Sequence, residues 1–253
     1  MKWFVNEDSI VRKIWGTADT ILLIFGGAAA EFALNKAVDW LYFTGRLPAD
    51  PIGRLFSTVT YARRIVFATN EEANNTIDKI RMIHTAVETN RGSQIPDWAY
   101  RDVLFMLIHY SISSFEVLNR KLSGAEKEEV FNVFYRVGTR MGVKDLPDTY
   151  TAWLPVYHEH LQQDLIKSNF TIDLYQQYKK HLGSLRYRIL IESQILVVPH
   201  EVKALLDLKR MSLIAPLIPI YKLSGKLKLD RWLMSAFLPE EYKKQIMDLN
   251  QHA

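Results

Sequence analysis

The sequence of 253 residues contains no cysteine. This absence excludes disulfides, thiolate-bound zinc, cysteine-ligated iron–sulfur clusters and cysteine nucleophiles, so any metal or catalytic chemistry must use His, Asp, Glu, Lys or Tyr. A large excess of one charge is also missing, because 32 Lys and Arg residues stand against 28 Asp and Glu residues, a formal net charge of +4. For a chain this mildly basic we expect no nucleic-acid partner.

Long hydrophobic runs are missing as well. The most apolar stretch, residues 21–34, contains Glu31 and is shorter than the ~20 residues that span a bilayer, so it predicts a buried helix. Glu7 and Asp8 precede any apolar run, which argues against a secretory signal and favours a cytoplasmic protein. The glycine-rich motifs of nucleotide-binding proteins, the Gly-x-Ser-x-Gly motif of hydrolases and the His-Glu-x-x-His motif of zinc proteases are all absent.

What is present is helical spacing in almost every long segment, with no Asn-Gly or Asp-Gly hairpin signal. We therefore predict an all-α protein with one domain over residues 1–253, a bundle of about eight to ten helices. Three helix starts carry capping signals: Asp50 before Pro51, Thr69 with Glu72, and Ser123 with Glu126. The predicted helices are 8–16, 18–43, 51–68, 71–90, 97–121, 124–141, 149–166, 171–192, 199–210 and 229–250.

One histidine shares a helical stripe with aliphatic residues. Ile77, Ile80, His84 and Val87 follow a 3-4-3 spacing, so His84 is expected to point inward. From periodicity alone, such a histidine is more often a core residue with one hydrogen bond than a ligand.

The preceding helix has a polar stripe on an otherwise apolar surface. Arg54, Ser57, Thr58 and Tyr61 share one face. The apolar remainder favours a pocket lined by this stripe, where Arg54 needs an anionic partner. That partner could equally be a structural aspartate or an anionic ligand.

Several weaker features leave alternatives open. The small residues 26–30 permit close approach by a flat cofactor or, more commonly, by another helix. His109 and Glu116 lie two turns apart and could face one metal site, although a core histidine and a surface glutamate are the commoner outcome. We interpret residues 157–160, Tyr-His-Glu-His, as a solvated face. The apolar segment 205–223 is expected to pack across the core, with docking on a membrane surface as the alternative.

Three short segments of the chain form a recognisable pattern: 50–58 (DPIGRLFST), 83–87 (IHTAV) and 98–102 (WAYRD). They resemble the motifs of the MpaB/latex-clearing-protein family of haem b oxygenases, and the resemblance covers residues 21–155. It implies an all-α fold that encloses a haem pocket, with His84 as the proximal iron ligand, Arg54 stabilising the haem region and Thr58 in the distal pocket. Ser57, Thr58 and Tyr61 complete the expected site, with Ser57 and Thr58 as its catalytic residues.

This chain departs from the family at the distal side. Latex-clearing proteins carry a lysine at the position of Ser57, and serine is a poor iron ligand. We therefore expect a sixth coordination site that is open or water-filled and available to dioxygen. Asn35-Lys36 replaces a His-Pro pair, and Trp98 replaces a tyrosine. These changes leave the haem prediction intact and bear on the identity of the substrate.

Three functional hypotheses follow. The first is an oxygenase that uses haem b and dioxygen on an apolar, unsaturated, isoprenoid-like substrate, with Asp39, Glu31 or Glu116 as an unranked candidate base. The second is a non-catalytic haem or lipid-binding sensor that uses the same pocket. The third is a structural helical module without a cofactor that binds a partner or a membrane through residues 205–223.

Overall fold

A computed structural model describes residues 2–45 and 49–224 of the chain. These residues form helices and no strand, which confirms the all-α prediction. The α-helices, numbered in chain order, are α1 Ile10–Trp15, α2 Ala18–Leu34, α3 Asp39–Phe43, α4 Pro51–Val66, α5 Asn70–Arg91, α6 Asp97–Leu118, α7 Gly124–Met141, α8 Tyr150–Gln163, α9 Asn169–Val197, α10 His200–Leu205 and α11 Ile218–Ser224. The helix predicted over 229–250 lies outside the described residues.

The predicted capping residues begin three of these helices. The Asp50 side chain accepts a hydrogen bond from the backbone N–H of Gly53 at 2.8 Å, ahead of Pro51 at the first position of α4. The capping boxes of α5 and α7 are both complete. Because each cap satisfies backbone donors that the helix itself cannot pair, these starts are set by local sequence.

The single helix predicted over 18–43 is wrong, because the chain breaks at Asn35. Asn35 has an extended backbone, and its side-chain oxygen accepts a hydrogen bond from the backbone N–H of Ala37 at 2.8 Å. The carbonyl of Leu34 accepts another from the N–H of Ile166 at 2.7 Å. An asparagine side chain that competes for backbone donors ends a helix that hydrophobic periodicity alone would continue.

The core is built around α2, which packs mainly against α6 and α9. Thirteen of the seventeen residues of α2 are buried, which confirms that the apolar stretch 21–34 is a buried helix. At Gly27 an added Cβ would lie 2.2 Å from the Tyr110 ring of α6. The small-residue run therefore allows close packing of a neighbouring helix, the commoner of the two expectations.

The segment 205–223 only partly follows the favoured prediction of core packing. Leu205, Leu206 and Leu208 pack against the core, whereas Met211, Leu213, Leu217 and Ile220 are exposed. No helix within the described residues has both the length and the apolar character needed to cross a membrane.

Candidate functional site

The residues of the predicted haem site lie on two neighbouring helices. Helices α4 and α5 are joined by only three residues and pack against each other. Arg54 lies 12 residues before the end of α4 and His84 lies 14 residues after the start of α5, so both are between three and four helical turns from this connection and at a similar level of the pair. The Arg54 charge acts on the His84 ring, which is consistent with this placement.

The polar stripe of α4 lies at the boundary between core and surface. Arg54, Ser57, Thr58 and Tyr61 are all half-buried, while Ile52, Val59, Ala62, Ile65 and Val66 on the other sides of the helix are buried. The Nη1 atom of Arg54 donates a hydrogen bond to the Ser57 hydroxyl at 3.2 Å, and that hydroxyl donates to the Arg54 carbonyl at 2.7 Å. The structure thus brings Arg54, Ser57 and Thr58 together within one helical turn, because the Thr58 hydroxyl also donates to the Arg54 carbonyl at 3.4 Å, and Tyr61 lies one turn further along.

His84 lies on the inward side of α5, as its spacing predicted. Ile77 is buried, and Ile80, His84 and Val87 are half-buried, whereas the intervening Met82 and Ile83 are exposed. The edge of the imidazole ring meets the ring of Tyr100 on α6, with centroids 5.3 Å apart and an interplanar angle of 89°. The Tyr100 hydroxyl in turn donates to Glu88 at 3.2 Å.

A cavity of about 260 Å³ borders His84. Its lining includes Thr85, Glu88 and Tyr100, with Arg81 and Lys144 as positive charges. Within the described part of the chain, the enclosed Nδ1 atom of His84 makes no hydrogen bond of ordinary geometry, although the backbone of Ile80, one turn earlier, acts on the ring as a hydrogen-bond partner. An imidazole nitrogen without a well-formed hydrogen bond is available to a ligand.

Burial and charge keep this imidazole neutral. Desolvation, helped by the positive charge of Arg54, lowers the pKa of His84 below its ordinary value, and the Glu88 carboxylate and Ile80 carbonyl only partly oppose this. A neutral imidazole keeps the lone pair that a metal needs. The site therefore offers one metal-ligating nitrogen beside a guanidinium that can pair with an anion.

A second cluster of functional groups, missed by the sequence analysis, lies in the protein core. The Glu31 carboxylate of α2 accepts hydrogen bonds from the Tyr110 hydroxyl of α6 at 2.7 Å and the Tyr157 hydroxyl of α8 at 2.8 Å. Its other oxygen is 3.2 Å from Nε2 of His160, whose Nδ1 is 2.8 Å from Asp102. We call Glu31, Asp102, Tyr110, Tyr157 and His160 the buried network.

The prediction that residues 157–160 form a solvated face is wrong for Tyr157 and His160. Both are buried, and only His158 and Glu159 are exposed. The signal that would have shown this is the spacing of Trp153, Tyr157 and His160, which places one aromatic stripe on a single face of α8. The two exposed polar residues between Tyr157 and His160 conceal that stripe in the sequence.

Burial and hydrogen bonding act in opposite directions on the buried network: desolvation raises the pKa of Asp102, and its interactions with His160 and Asn35 only partly oppose this. Burial acts to lower the pKa of His160, but its hydrogen bonds and charge interactions with Asp102 and Glu31 outweigh this and raise the pKa to about 10. His160 is therefore an imidazolium at neutral pH, held between two carboxylates. Asn35 adds a hydrogen bond to Asp102 at 2.8 Å. A buried cation with this many partners links α2, α6 and α8.

Asp102, His160 and Asp164 have the composition of a metal site, since their ligand atoms lie within 4.8 Å of one another. A metal, however, would have to displace the proton that the two carboxylates stabilise on His160. The hydrogen bonds already account for this cluster, and we assign it a structural role.

The remaining candidates from the sequence, Glu116 and Asp39, form ion pairs in different parts of the structure. Glu116 forms ion pairs with Lys121 at 2.7 Å and Lys127 at 3.1 Å, so it does not share a metal site with His109. Asp39 forms an ion pair with Arg91 at 2.6 Å, on the face of α5 that carries His84 two turns earlier. Of the three candidate bases, Asp39 alone lies along the His84 face, because Glu31 belongs to the buried network.

Comparison with known proteins gives one family match. No curated protein and no solved structure matches the chain. A family model described as "ER-bound oxygenase mpaB/B'/Rubber oxygenase, catalytic domain" matches residues 14–246, nearly the whole chain and well beyond the region of resemblance in the sequence. The chain therefore belongs to the mpaB/rubber oxygenase catalytic-domain family.

Proposed function

We propose that this protein is a haem b-dependent oxygenase in which His84 is the proximal iron ligand. The observation that carries the proposal is the enclosed imidazole of His84, whose Nδ1 atom makes no well-formed hydrogen bond among the described residues and which burial and Arg54 keep neutral. This donor chemistry fits haem, which takes one imidazole ligand and carries anionic propionates that pair with arginine. Family membership in an oxygenase catalytic domain supports the same assignment.

Each residue of the site has a part in this proposal. His84 ligates the iron, and Arg54 binds a propionate while its contact with Ser57 fixes the guanidinium. Ser57, Thr58 and Tyr61 share the face of α4 that carries Arg54 and would border the haem, and the hydroxyls of Ser57 and Thr58 are poor iron ligands. When bound, haem supplies the activation of dioxygen.

The cavity beside His84 is smaller than most cofactor sites, which occupy roughly 300–1,000 Å³. Its lining comes from α5 and from residues 94–100 and 141–144 and includes no residue of α4, so haem held between His84 and Arg54 requires α4 and α5 to move apart. A change in hydrogen-exchange protection of α4 on haem binding would report this movement.

We further propose that the substrate is an apolar, unsaturated, isoprenoid-like molecule used together with dioxygen. Aromatic residues extend the His84 face of α5: Arg91 stacks over Trp40 at 4.0 Å and over Phe43 at 5.3 Å, and Phe43 is largely exposed. Such a surface suits a hydrocarbon chain better than a polar metabolite. The supporting features lie on α3 and α5 and do not involve the buried network.

An absorption spectrum tests the haem assignment. Protein expressed with sufficient haem, or mixed with haemin, should show a Soret band that His84→Gly abolishes and added imidazole restores. His158→Ala is the matched control, because His158 is exposed and bonds the Leu154 carbonyl of its own helix at 2.8 Å. Absence of a Soret band in the wild type, or full haem retention in His84→Gly, would refute the proposal.

The second candidate is a non-catalytic haem or lipid-binding sensor, which Ser57 favours because a serine supplies no basic side chain where latex-clearing proteins carry a lysine. Oxygen uptake with squalene, β-carotene and polyisoprene oligomers separates the two functions. An oxygenase consumes dioxygen in step with substrate. A sensor or carrier binds haem, or binds these lipids, without oxygen uptake.

A further inference from the structure

The segment before the end of the described chain presents four apolar side chains to solvent. The exposed fractions are 75% for Met211, 67% for Leu213, 57% for Leu217 and 65% for Ile220. We call these four residues the apolar ridge. Single exposed apolar residues are ordinary, but four within ten residues form a patch that calls for a partner.

Buried hydrogen bonds fix the first half of the ridge. The buried Glu192 carboxylate of α9 accepts hydrogen bonds from the Ser212 hydroxyl at 2.9 Å and from the backbone N–H of Leu213 at 2.6 Å. Ser212 is therefore turned inward, and its neighbours Met211 and Leu213 are turned outward. Their exposure follows from an anchored backbone rather than from a loop end without contacts.

The second half of the ridge lies on a short helical segment. Leu217 ends a 3-10 turn, Ala215–Leu217, and Ile220 follows three residues later on α11, so the two side chains share one face. The Tyr221 hydroxyl donates a hydrogen bond to Asp19 of α2, which holds this segment against the bundle. Leu217 and Ile220 therefore lie on the side of this segment that faces solvent, and Tyr221 lies on the side that contacts α2.

Positive charges flank the ridge on both sides. Lys209 and Arg210 precede it and Lys222 follows it, all three exposed and without an ion-pair partner in the described part of the chain. The sequence has no acidic residue from Leu208 to Ser224, and Lys226 and Lys228 follow. An apolar strip bordered by unpaired cations is the pattern that binds an interface of lipid chains and anionic headgroups.

We propose that the apolar ridge docks this protein on the surface of an anionic lipid bilayer, with Met211 and Leu213 inserted among the acyl chains and Lys209, Arg210 and Lys222 at the headgroups. A second copy of the chain is a poorer occupant, because a symmetric contact would bring the same cations face to face. The docking is independent of the haem proposal, and its test uses no haem.

Because the chain contains no native cysteine, a single introduced cysteine can be labelled at a chosen position. Leu213→Cys labelled with an environment-sensitive nitrobenzoxadiazole dye should shift to the blue and brighten on phosphatidylcholine vesicles containing 30% phosphatidylserine, but not on phosphatidylcholine alone. Met82→Cys, at an exposed apolar position of α5, is the matched control and should not respond. Sedimentation of unlabelled protein with the anionic vesicles should fall at least tenfold in 0.5 M NaCl.

Two variants separate the apolar and the charged contributions. Met211→Ser with Leu213→Ser, and Lys209→Glu with Arg210→Glu, should each reduce sedimentation at least tenfold while circular dichroism keeps the wild-type helical signal. The proposal is overturned if wild-type protein does not sediment with anionic vesicles. It is equally overturned if the Lys209→Glu, Arg210→Glu variant sediments with them as much as the wild type does. It is also overturned if the dye at position 213 is already blue-shifted without lipid, whether through the protein's own residues or through a dimer seen by light scattering.

Discussion

His160 and Glu31 are 129 residues apart in the sequence, yet Nε2 of His160 lies 3.2 Å from Oε1 of Glu31 in the core. On its other side, Nδ1 of the same ring is 2.8 Å from Asp102. Three helices that are distant in sequence thus meet at one protonated ring. This arrangement makes the stability of the fold depend on pH.

The first prediction concerns that dependence. The pKa of His160 is about 10 in the folded protein and ~6.5 in an unfolded chain, so the folded state binds more protons between these values. The contribution of His160 to stability is full below pH ~6.5 and is lost as the pH rises toward 10. The free energy of unfolding should fall by up to about 1.4 kcal/mol per pH unit in this window. Urea denaturation from pH 6 to 10 measures it.

His160→Gln should remove this alkaline slope, whatever its effect on absolute stability. Exposed His158→Gln should keep it, since His158 lies outside the buried network. A wild-type protein equally stable at pH 7 and pH 9.5 would contradict the prediction. On the acidic side, the lowered pKa values of His84 and His109, both due mainly to burial, should reduce stability as the pH falls below ~6.5.

Local signals in the sequence predicted the parts of the fold that depend on neighbouring residues. The caps at Asp50, Thr69 and Ser123 act within three residues of themselves, and the spacing that turns His84 inward lies within one helix. The all-α class followed from the same short-range patterns. These parts could be predicted because no distant residue decides them.

The buried network and the break at Asn35 could not be predicted in this way. Glu31 interrupts an apolar run and appears unfavourable until Tyr110, Tyr157 and His160 reach it from two other helices. Asn35 likewise forms its hydrogen bond with Asp102 only in the folded protein. Buried polar groups depend on long-range partners, which periodicity does not reveal.

The second prediction concerns two adjacent glycines in α2. Gly27→Ala would place its Cβ 2.2 Å from the fully buried Tyr110 ring, which cannot move without loosening its bond to Glu31. We expect a loss of about 1–3 kcal/mol in the free energy of unfolding. Gly26→Ala is the matched control, because its Cβ would make ordinary contacts of 3.8 Å with Leu190 and Ser193. It should gain about 0.5–1 kcal/mol from helix propensity. Thermal or urea denaturation of both variants decides whether the small residues serve packing.

The third prediction tests the distal side of the proposed haem site. Ser57→Lys introduces an amine where latex-clearing proteins carry one, and it should convert an open sixth position into an amine-ligated one, with a shifted Soret band and slower cyanide binding. Ser57→Ala should leave the wild-type spectrum unchanged. Identical spectra for Ser57→Lys and the wild type would place Ser57 away from the iron.

The fourth prediction ranks the candidate bases. Asp39 lies on the His84 side of α5, held by Arg91 at 2.6 Å, whereas Glu116 is held by two surface lysines and Glu31 is enclosed in the core. Asp39→Asn removes the carboxylate and keeps its size. If Asp39 takes a proton from the substrate, kcat for an unsaturated isoprenoid should fall by roughly 10²–10⁴ with an unchanged Soret band.

Glu116→Gln is the control for Asp39→Asn, since it also removes one carboxylate but lies away from the His84 face, and its kcat should match the wild type. Loss of haem in Asp39→Asn would instead indicate that the Asp39–Arg91 pair supports haem binding through the packing of Trp40 and Phe43, because Arg91 stacks on both rings. Arg91→Lys separates these roles further. It retains the charge beside Asp39 but loses the planar stacking, so it should weaken haem retention only if haem binding depends on that stack.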